Sequence, residues 1–321
     1  MLLAGPAVRA IAADPDVHLT FLCSTRGVAA AQLLPGVDRI QVFDAPWILA
    51  DPPPVRRAGI AWTTLRLQQS RYDAALVLTS FHQSPLPLAL LLRMAGVPWI
   101  VAASDDYPGS LIDVRVRLDD QLHEAERSAE LAHALGFPPV GTHLSVRPDL
   151  PDVAHLQPMG RYLVVHPGSD APARRWPPVL ARATVTLLAG QGWQVLVTGS
   201  PAERELTAYV AGELGVDLGG RSSLPELAAL LRGASAVVVG NTGPAHLAAA
   251  VGTPVVSLFA PTVPAERWAP HGVPRVLLGD QLAPCAGTRV RDCAVPGHPC
   301  LSSVGPTEVA DAVAALVGVA A

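Results

Sequence analysis

The chain has 321 residues, of which half are hydrophobic and 16% are charged. This composition excludes a disordered protein and supplies enough apolar residues for one large domain or two domains of ordinary size. Proteins that bind nucleic acids usually carry an excess of positive charge, whereas the formal net charge of this chain is −4. We therefore expect no nucleic-acid partner.

The first half alternates short apolar runs with helical segments. The predicted strands cover residues 17–23, 39–43, 74–78 and 99–103, and the predicted helices lie near 27–34, 55–69 and 86–95. The longest apolar stretch is interrupted by Arg93, Gly96 and Pro98, which favours a helix followed by a strand over a membrane span. No basic leader precedes the first apolar run, so we expect a cytoplasmic protein.

The second half repeats the alternation more regularly. The predicted strands cover residues 162–166, 193–199, 236–240 and 254–259, and the predicted helices lie near 177–189, 202–214, 224–232 and 244–251. Continuous apolar strands that alternate with helices are typical of parallel sheets covered on both faces. Ser223 and Glu226 form a capping box around Pro225, which predicts the start of a helix there.

A proline-rich stretch over 138–160 separates the two halves. We therefore predict an α/β protein of two Rossmann-like, doubly wound domains, 1–145 and 161–321, joined by a linker over 146–160. Ligands of such sheets bind beyond the carboxyl ends of the strands, and we expect the ligand of this chain in a cleft between the domains.

The loop after predicted strand 236–240 has the composition of an anion site. Asn241, Thr242 and Gly243 lead into a helix with Pro244 in its first turn and His246 one turn later. Free amides and the helix dipole attract a phosphate, which Gly243 allows to approach the backbone. An ordinary tight connection with Thr242 as the helix cap explains the pattern equally well.

Two further loops of the second half also follow strands. In His166–Pro177, Ser169 can donate to a phosphate oxygen, and Arg174 or Arg175 can bridge two such oxygens. Glu203 opens the helix after strand 193–199, where a carboxylate can accept the two hydroxyls of a ribose. Taken singly, these residues also fit a solvated loop and a helix-capping acid.

The three loops together suit a nucleoside diphosphate. No G-x-x-x-x-G-K-[ST] run occurs, which disfavours a P-loop NTPase, and no G-x-G-x-x-G follows a strand, which weakens a dinucleotide interpretation.

The second half resembles glycosyltransferase family 9, the heptosyltransferase-like enzymes with the GT-B fold. The matching runs are VVHPGS, RRWP, VTGSPAERE, LGGRSSLPELAALL and NTGPAHLAAAVGTPVVSLFAPT, over roughly residues 162–270. The resemblance implies that the second domain binds a nucleotide-diphosphate sugar. The residues it implies for this donor site are Ser169, Arg174, Glu203, Asn241, Thr242, Gly243 and His246.

The resemblance also implies the reaction. A heptose-like or other sugar would pass, with inversion and without a metal or other cofactor, to a hydroxyl of a glycan or glycolipid acceptor. Such an acceptor would bring the protein into peripheral contact with the inner face of the membrane. Family members often carry Asp at the position of Asn241 and Gly at that of Ala260, so we expect an altered donor affinity.

The family resemblance also bears on the beginning of the chain. In the family, the first strand ends in a Gly-Asp pair, and the Asp is the catalytic base. Met1 aligns with the residue after that Asp. We therefore expect the first strand and the base upstream of residue 1, in a longer natural chain.

The first half offers its own candidates in Thr79–Pro85. His82, Gln83 and Ser84 follow a predicted strand and are predicted to bind the acceptor, with His82 as a weak candidate for the catalytic base. A polar loop that caps the next helix accounts for them as well. Asp105 and Asp106 can touch an acceptor or a cation, although solvation explains two loop carboxylates equally well.

Three of the four cysteines lie close together in the sequence. Cys285, Cys293 and Cys300 have Asp292 and His298 nearby, which leaves a zinc site, a disulfide or packed thiols open. No C-x-x-C pair occurs, and the long spacings favour packed thiols.

Two alternatives to a transferase remain open. One is a nucleotide-sugar-binding protein that has lost catalysis, and the other is a GT-B epimerase. A phosphorylase needs a lysine for its cofactor, and all 23 basic residues of this chain are arginine.

Overall fold

The computed structural model of the chain describes residues 1–48, 52, 54–80 and 83–319. It divides into two compact units, Met1–Thr142 and His143–Ala321. The proline-rich stretch therefore belongs for the most part to the second unit. The described helices are all too short or too polar to span a bilayer.

The first unit is built of short strands and helices in alternation. Its strands are β1 (Thr20–Cys23), β2 (Arg39–Val42), β3 (Ala74–Val77), β4 (Trp99–Ala103) and β5 (Val114–Val116). Its α-helices are α1 (Gly5–Ala12), α2 (Val28–Ala31), α3 (Arg57–Ser70), α4 (Leu86–Met94) and α5 (Glu124–Leu135).

These strands form two separate parallel sheets. Strand β1 pairs with β2, while β3, β4 and β5 form a three-stranded sheet in that order. Among the described residues, β1 and β3 each have one edge without a strand partner. The strand that the sequence places upstream of Met1 stays a prediction.

The second unit has six strands and seven α-helices in its described part. The strands are β6 (Tyr162–His166), β7 (Gln194–Gly199), β8 (Val216–Gly219), β9 (Ala236–Gly240), β10 (Val255–Leu258) and β11 (Arg275–Leu278). The helices are α6 (Pro178–Gly190), α7 (Arg204–Ala211), α8 (Leu224–Gly233), α9 (Gly243–Ala250), α10 (Ala265–Trp268), α11 (Pro299–Ser302) and α12 (Pro306–Val319).

All six strands form one parallel sheet in the order β11-β10-β9-β6-β7-β8. The chain begins at β6, adds β7 and β8 on one side, and returns to add β9, β10 and β11 on the other. Strands β6 and β9 are neighbours, with Val164 beside Val237, so the winding direction reverses between them. Ligands of doubly wound sheets bind in the crevice at the carboxyl ends of the strands where such a reversal occurs.

The core of the second unit explains why its strands are so apolar. Every residue of β6 and β9 is buried, and helices α6 and α12 supply apolar side chains such as Val185, Leu188 and Val313. The α/β class and the parallel, doubly wound sheet of the second half, both expected from the sequence, are confirmed. The capping box of Ser223 and Glu226 at the start of α8 is also confirmed.

Candidate functional site

Loops from β6 and β9 meet at the crevice of the second unit. Gly240, the last residue of β9, lies against the backbone of Arg174 in the loop after β6. A Cβ on Gly240 would lie 2.9 Å from the Arg174 carbonyl oxygen. The absence of a side chain at Gly240 therefore lets the two loops pack directly together.

Helix α9 begins at this point with an open end. Thr242 is its N-cap, has an extended backbone, and makes no side-chain cap hydrogen bond to the helix. Pro244 stands in the first turn, where a missing N–H costs nothing. A Cβ on Gly243 would meet no atom within 4 Å. The positive end of the helix dipole thus faces space that can hold an anion.

Arg174 reaches the same region from the opposite loop. It ends a short 3₁₀ turn, Pro172–Arg174, and its Nε donates to Thr262 Oγ1 at 3.3 Å. Burial lowers the pKa of Arg174, and the positive charge of Arg291 lowers it further. Arg175 instead donates from Nη2 to the carbonyl of Ser169 at 3.0 Å, within its own loop.

Ser169 is turned inward in its own loop. Its Oγ donates to the Ala171 carbonyl at 3.0 Å and accepts from the Ala171 amide at 3.2 Å. The buried hydroxyl shapes the loop that carries Arg174. A direct bond from Ser169 to a phosphate requires its hydroxyl to give up the bond that it donates to the Ala171 carbonyl.

Glu203 lies at the carboxyl end of β7 and closes a capping box with Ser200. Its Oε2 accepts from the Ser200 amide at 2.8 Å and from the Ser200 hydroxyl at 2.7 Å. A side chain on Gly168 would collide with the Glu203 carboxylate. The carboxylate therefore lies beside the β6 loop, where the sequence predicted a ribose-binding acid, and it also caps its own helix.

A buried histidine supports this edge of the sheet. His166 ends β6, and its Nδ1 lies 3.0 Å from Thr198 Oγ1 on β7. Burial lowers the pKa of His166 to about 4, although the nearby Glu203 acts in the opposite direction. The imidazole is therefore neutral near pH 7 and ties β6 to β7.

Asn241 and His246 occupy different surroundings. Asn241 is buried, and both polar atoms of its side chain bind the backbone of Ala260. Asn241 thus joins the end of β9 to the end of β10, and its predicted contact with the donor stays a prediction. His246 is half-buried in the first turns of α9.

A distant loop completes this edge, and sequence reasoning missed it. The Arg291 carbonyl accepts from the Ala173 amide at 2.8 Å, and Arg291 Nη2 donates to the Asp170 carbonyl at 2.8 Å. The Arg289 amide donates to the Thr262 carbonyl at 2.8 Å. Segment 287–298 therefore fastens the Arg174 loop from outside, and the Arg291 guanidinium also lies 3.6 Å from the Asp170 carboxylate.

The first unit contains a polar cavity of about 220 Å³. Its lining includes Thr79, Ser80, Gln83, Ser84, Ser104, Asp105, Asp106, Asp120 and Arg127. The predicted acceptor residues Gln83 and Ser84 are thus brought together with Asp105 and Asp106, while His82 lies outside the described residues. The Gln83 Oε1 accepts from the Ser80 amide at 3.2 Å, which fixes one end of the loop.

The three clustered cysteines are reduced thiols in the structure. Cys285 and Cys300 are buried and Cys293 is half-buried. Burial and the neighbouring thiol of Cys285 raise the pKa of Cys300 to about 12. Within the described ranges, no three His, Cys, Asp or Glu side chains are arranged to hold a metal ion. Packed thiols, the favoured interpretation of the sequence, agree with this geometry.

Comparisons with known proteins bear on this architecture. A lipopolysaccharide heptosyltransferase 1 from Pseudomonas aeruginosa is 36% identical over 178 residues, which cover 53% of this chain and 48% of that protein. The chain spans less than two thirds of the length of each of the first curated relatives it matches.

Two solved structures share the fold at low sequence identity. One is the Escherichia coli ADP-heptose lps heptosyltransferase II, with a TM-score of 0.75 and 20% identity over 100% of this chain and 96% of that one. The other is the Escherichia coli heptosyltransferase WaaC with ADP, with a TM-score of 0.71 and 22% identity over 98% and 95% of the two chains.

The family assignment comes from a sequence model. The model of glycosyltransferase family 9 (heptosyltransferase) matches residues 62–297, which extend from helix α3 of the first unit past Cys293 in the second. This chain belongs to glycosyltransferase family 9.

Proposed function

We propose that this chain transfers a sugar from a nucleotide-diphosphate sugar to a hydroxyl of a glycan or glycolipid. The observation that carries the proposal is the open start of helix α9 at Gly243, with the backbone of the partly buried Arg174 packed against Gly240 at the end of the preceding strand. A diphosphate in this crevice would meet the positive end of a helix dipole and a guanidinium at once.

The two groups would act on the leaving group. In the proposed displacement, the acceptor oxygen bonds to the anomeric carbon while the bond from that carbon to the diphosphate oxygen breaks. The acceptor proton passes to a base, and negative charge grows on the departing diphosphate. Arg174 and the amides at the start of α9 stabilise that charge because they are already oriented before the reaction. The predicted base positions, His82 and a carboxylate upstream of Met1, stay predictions.

An adenosine diphosphate sugar is the first donor to test, with heptose as the first candidate for its sugar. The names of the related heptosyltransferases and the ADP in one of the similar structures support this choice. Glu203, beside the β6 loop, is the proposed partner of the ribose hydroxyls, a contact that would compete with its bond to Ser200.

The polar cavity of the first unit is the proposed acceptor site. Hydroxyls, an amide and carboxylates line it, and such groups pair with sugar hydroxyls. Gln83 and Ser84 stay the predicted contacts.

A thermal-shift titration tests the donor site directly. We expect ADP to raise the melting temperature more than UDP, GDP or AMP do, because a ligand specific to the folded state stabilises it. Arg174→Gln should reduce the shift, whereas Arg161→Gln, at the opposite end of β6, should not. Equal shifts with all nucleotides, or with both variants, would contradict the proposed site.

A transfer assay then separates a transferase from a binding protein. ADP-heptose and a mixture of glycolipid acceptors are supplied, and released ADP is measured. Release that requires the acceptor supports transfer. Donor binding without release supports a binding protein that has lost catalysis.

A further inference from the structure

A histidine from the end of the chain holds the backbone directly before Arg174. His298 Nε2 lies 3.0 Å from the carbonyl oxygen of Ala173, across 125 positions of the chain. Because a carbonyl can only accept, Nε2 carries the proton in this contact. The Ala173 carbonyl belongs to the peptide bond that joins Ala173 to Arg174. The imidazole therefore binds the peptide unit from which the arginine of the proposed diphosphate site departs.

The same alanine is held from its amide side as well. Ala173 is buried, and its amide donates to the Arg291 carbonyl at 2.8 Å. Both polar backbone groups of Ala173 thus bind segment 287–298. Farther along the loop, Trp176 Nε1 donates to the Val304 carbonyl at 3.3 Å. The loop after β6 is therefore fixed by the part of the chain between Arg291 and Val304.

His298 is itself fixed by its neighbours. It is the N-cap of helix α11, in which Cys300 and Leu301 are fully buried. The His298 carbonyl accepts from the Leu301 amide at 3.2 Å and from the Ser302 amide at 3.0 Å. The imidazole therefore reaches Ala173 from a backbone that is anchored in the core of the second unit.

The backbone of segment 287–298 is strained at two positions. Among the described residues, Arg289 at φ 59° and His298 at φ 50° are two of the three residues other than glycine with a positive φ. Side chains disfavour this left-handed conformation, which persists where surrounding contacts impose it. The Arg289 amide donates to the carbonyl of Thr262, whose hydroxyl accepts from Arg174 Nε. Each strained residue thus binds a residue that contacts or adjoins Arg174.

We propose that His298 is a positioning residue that orients Arg174 for binding a diphosphate. The bond from His298 to the Ala173 carbonyl fixes the turn Pro172–Arg174, and with it the base of the Arg174 side chain, before a ligand arrives. A guanidinium that bridges two phosphate oxygens needs a defined orientation, so a looser turn lowers the affinity for the diphosphate. The inference rests on the proposed function, because it takes a diphosphate as the ligand of Arg174.

Two variants separate the hydrogen bond of His298 from the bulk of its side chain. Gln and Met have side chains of similar length and are equally strained at a left-handed position, but only Gln can donate to the Ala173 carbonyl. By calorimetric titration, we expect His298→Met to weaken ADP binding about fivefold, the effect of one lost hydrogen bond, and AMP binding less. His298→Gln should recover most of the affinity for ADP.

His155→Met is the matched control. His155 is an exposed histidine of the same unit, so its replacement should leave the affinity for ADP at the parental value. Melting curves should confirm that every variant is folded. If His298→Met bound ADP like the control or like His298→Gln, or if it weakened ADP and AMP equally, the positioning role would be overturned.

A double variant shows whether His298 acts through Arg174. In the Arg174→Gln background, His298→Met should cause little further loss of ADP affinity, because the group that it orients is already gone. An equal loss in both backgrounds would mean that His298 acts independently of Arg174 and would overturn the proposal. Should Arg174→Gln alone leave ADP binding unchanged, the proposed diphosphate site would fail together with this inference. A loss in Arg174→Gln without one in His298→Met would overturn this inference alone.

Discussion

The side chain of Asn241 forms two hydrogen bonds with the backbone of Ala260. Its Nδ2 donates to the Ala260 carbonyl at 3.1 Å, and its Oδ1 accepts from the Ala260 amide at 3.2 Å. The amide group thus extends the pairing of β9 and β10 by one step beyond the strand ends. Only a side chain with both a donor and an acceptor can do this.

Asn241→Asp should therefore destabilise the fold. A carboxylate keeps the bond from the Ala260 amide but faces the Ala260 carbonyl without a proton to donate, in a buried position. We expect a loss of about 2–3 kcal/mol in the free energy of unfolding, measured by urea denaturation at pH 7. An unchanged stability together with a changed affinity for ADP would instead place Asn241 in contact with the donor.

Gly243→Ala should separate folding from binding. Because a Cβ at Gly243 meets no protein atom within 4 Å, the variant should melt within a few degrees of the parent protein. A phosphate against the backbone would collide with the new methyl group, so we expect ADP to bind at least about tenfold more weakly, a change of about 1.4 kcal/mol.

Gly190→Ala is the control for this experiment. Gly190 is the last residue of helix α6, and a Cβ there also meets nothing within 4 Å. It should bind ADP as the parent protein does. Normal ADP affinity in Gly243→Ala would mean that no phosphate lies at the start of α9.

Some strands were predictable because their sequence alone determines them. Strands β4, β6 and β9 have the predicted bounds, since each contains at least four consecutive apolar residues. Strands β5, β8 and β11 were missed. Each is only three or four residues long and contains one charged residue, Arg115, Asp217 or Arg275. They become strands through pairing with β4, β7 and β10.

The candidate site was predictable only in part, because some of its contacts join residues that are far apart in the sequence. Thr242 and Gly243 follow their strand directly, so a local pattern identifies them. Arg291 reaches Asp170 across 121 positions of the chain, and Thr262 reaches Arg174 across 88. No local pattern encodes contacts at such separations, whereas the order of the strands brings them together.

The stability of the second unit should depend on pH through His166. Its pKa is lowered to about 4 in the folded chain, whereas an unfolded histidine titrates near 6.5. Between these values the unfolded chain binds more protons, so stability is complete above pH 6.5 and falls as the pH falls towards 4. The loss amounts to about 3 kcal/mol across this window.

Urea denaturation at a series of pH values measures this effect. His166→Asn, which can keep a hydrogen bond to Thr198, should show a smaller fall of stability between pH 6.5 and pH 4 than the parent protein. His18→Asn replaces an exposed histidine and should leave the slope unchanged. If the free energy of unfolding of His166→Asn fell with pH as steeply as that of the parent protein, other groups would cause the acid sensitivity.

The cysteines should differ in their reactivity towards maleimide. Cys293 is half-buried, whereas Cys23, Cys285 and Cys300 are buried, and burial raises the pKa of Cys23 and Cys300. Since the thiolate is the reactive form, the native protein should be labelled first at Cys293 and at the others only on unfolding. Mass spectrometry after brief labelling checks this order, and Cys293→Ser should abolish the fast phase. Rapid labelling of Cys300 in the native state would contradict the packed arrangement.

Arg291 should strengthen diphosphate binding although it lies far from the family motifs in the sequence. Burial and the positive charge of Arg291 both lower the pKa of Arg174, and Arg291 Nη1 lies 3.6 Å from the Asp170 carboxylate. Two neighbouring cations repel each other until an anion lies between them, so a bound diphosphate should gain from both. We expect Arg291→Gln to weaken ADP binding about tenfold and AMP binding less, because the second phosphate carries the additional charge. Calorimetric titration of both nucleotides measures the difference. Arg161→Gln is the control, because Arg161 lies at the amino end of β6, opposite to the proposed site. If Arg291→Gln weakened ADP and AMP equally, the residue would only hold the Asp170 loop in place, through the bond that its Nη2 donates to the Asp170 carbonyl.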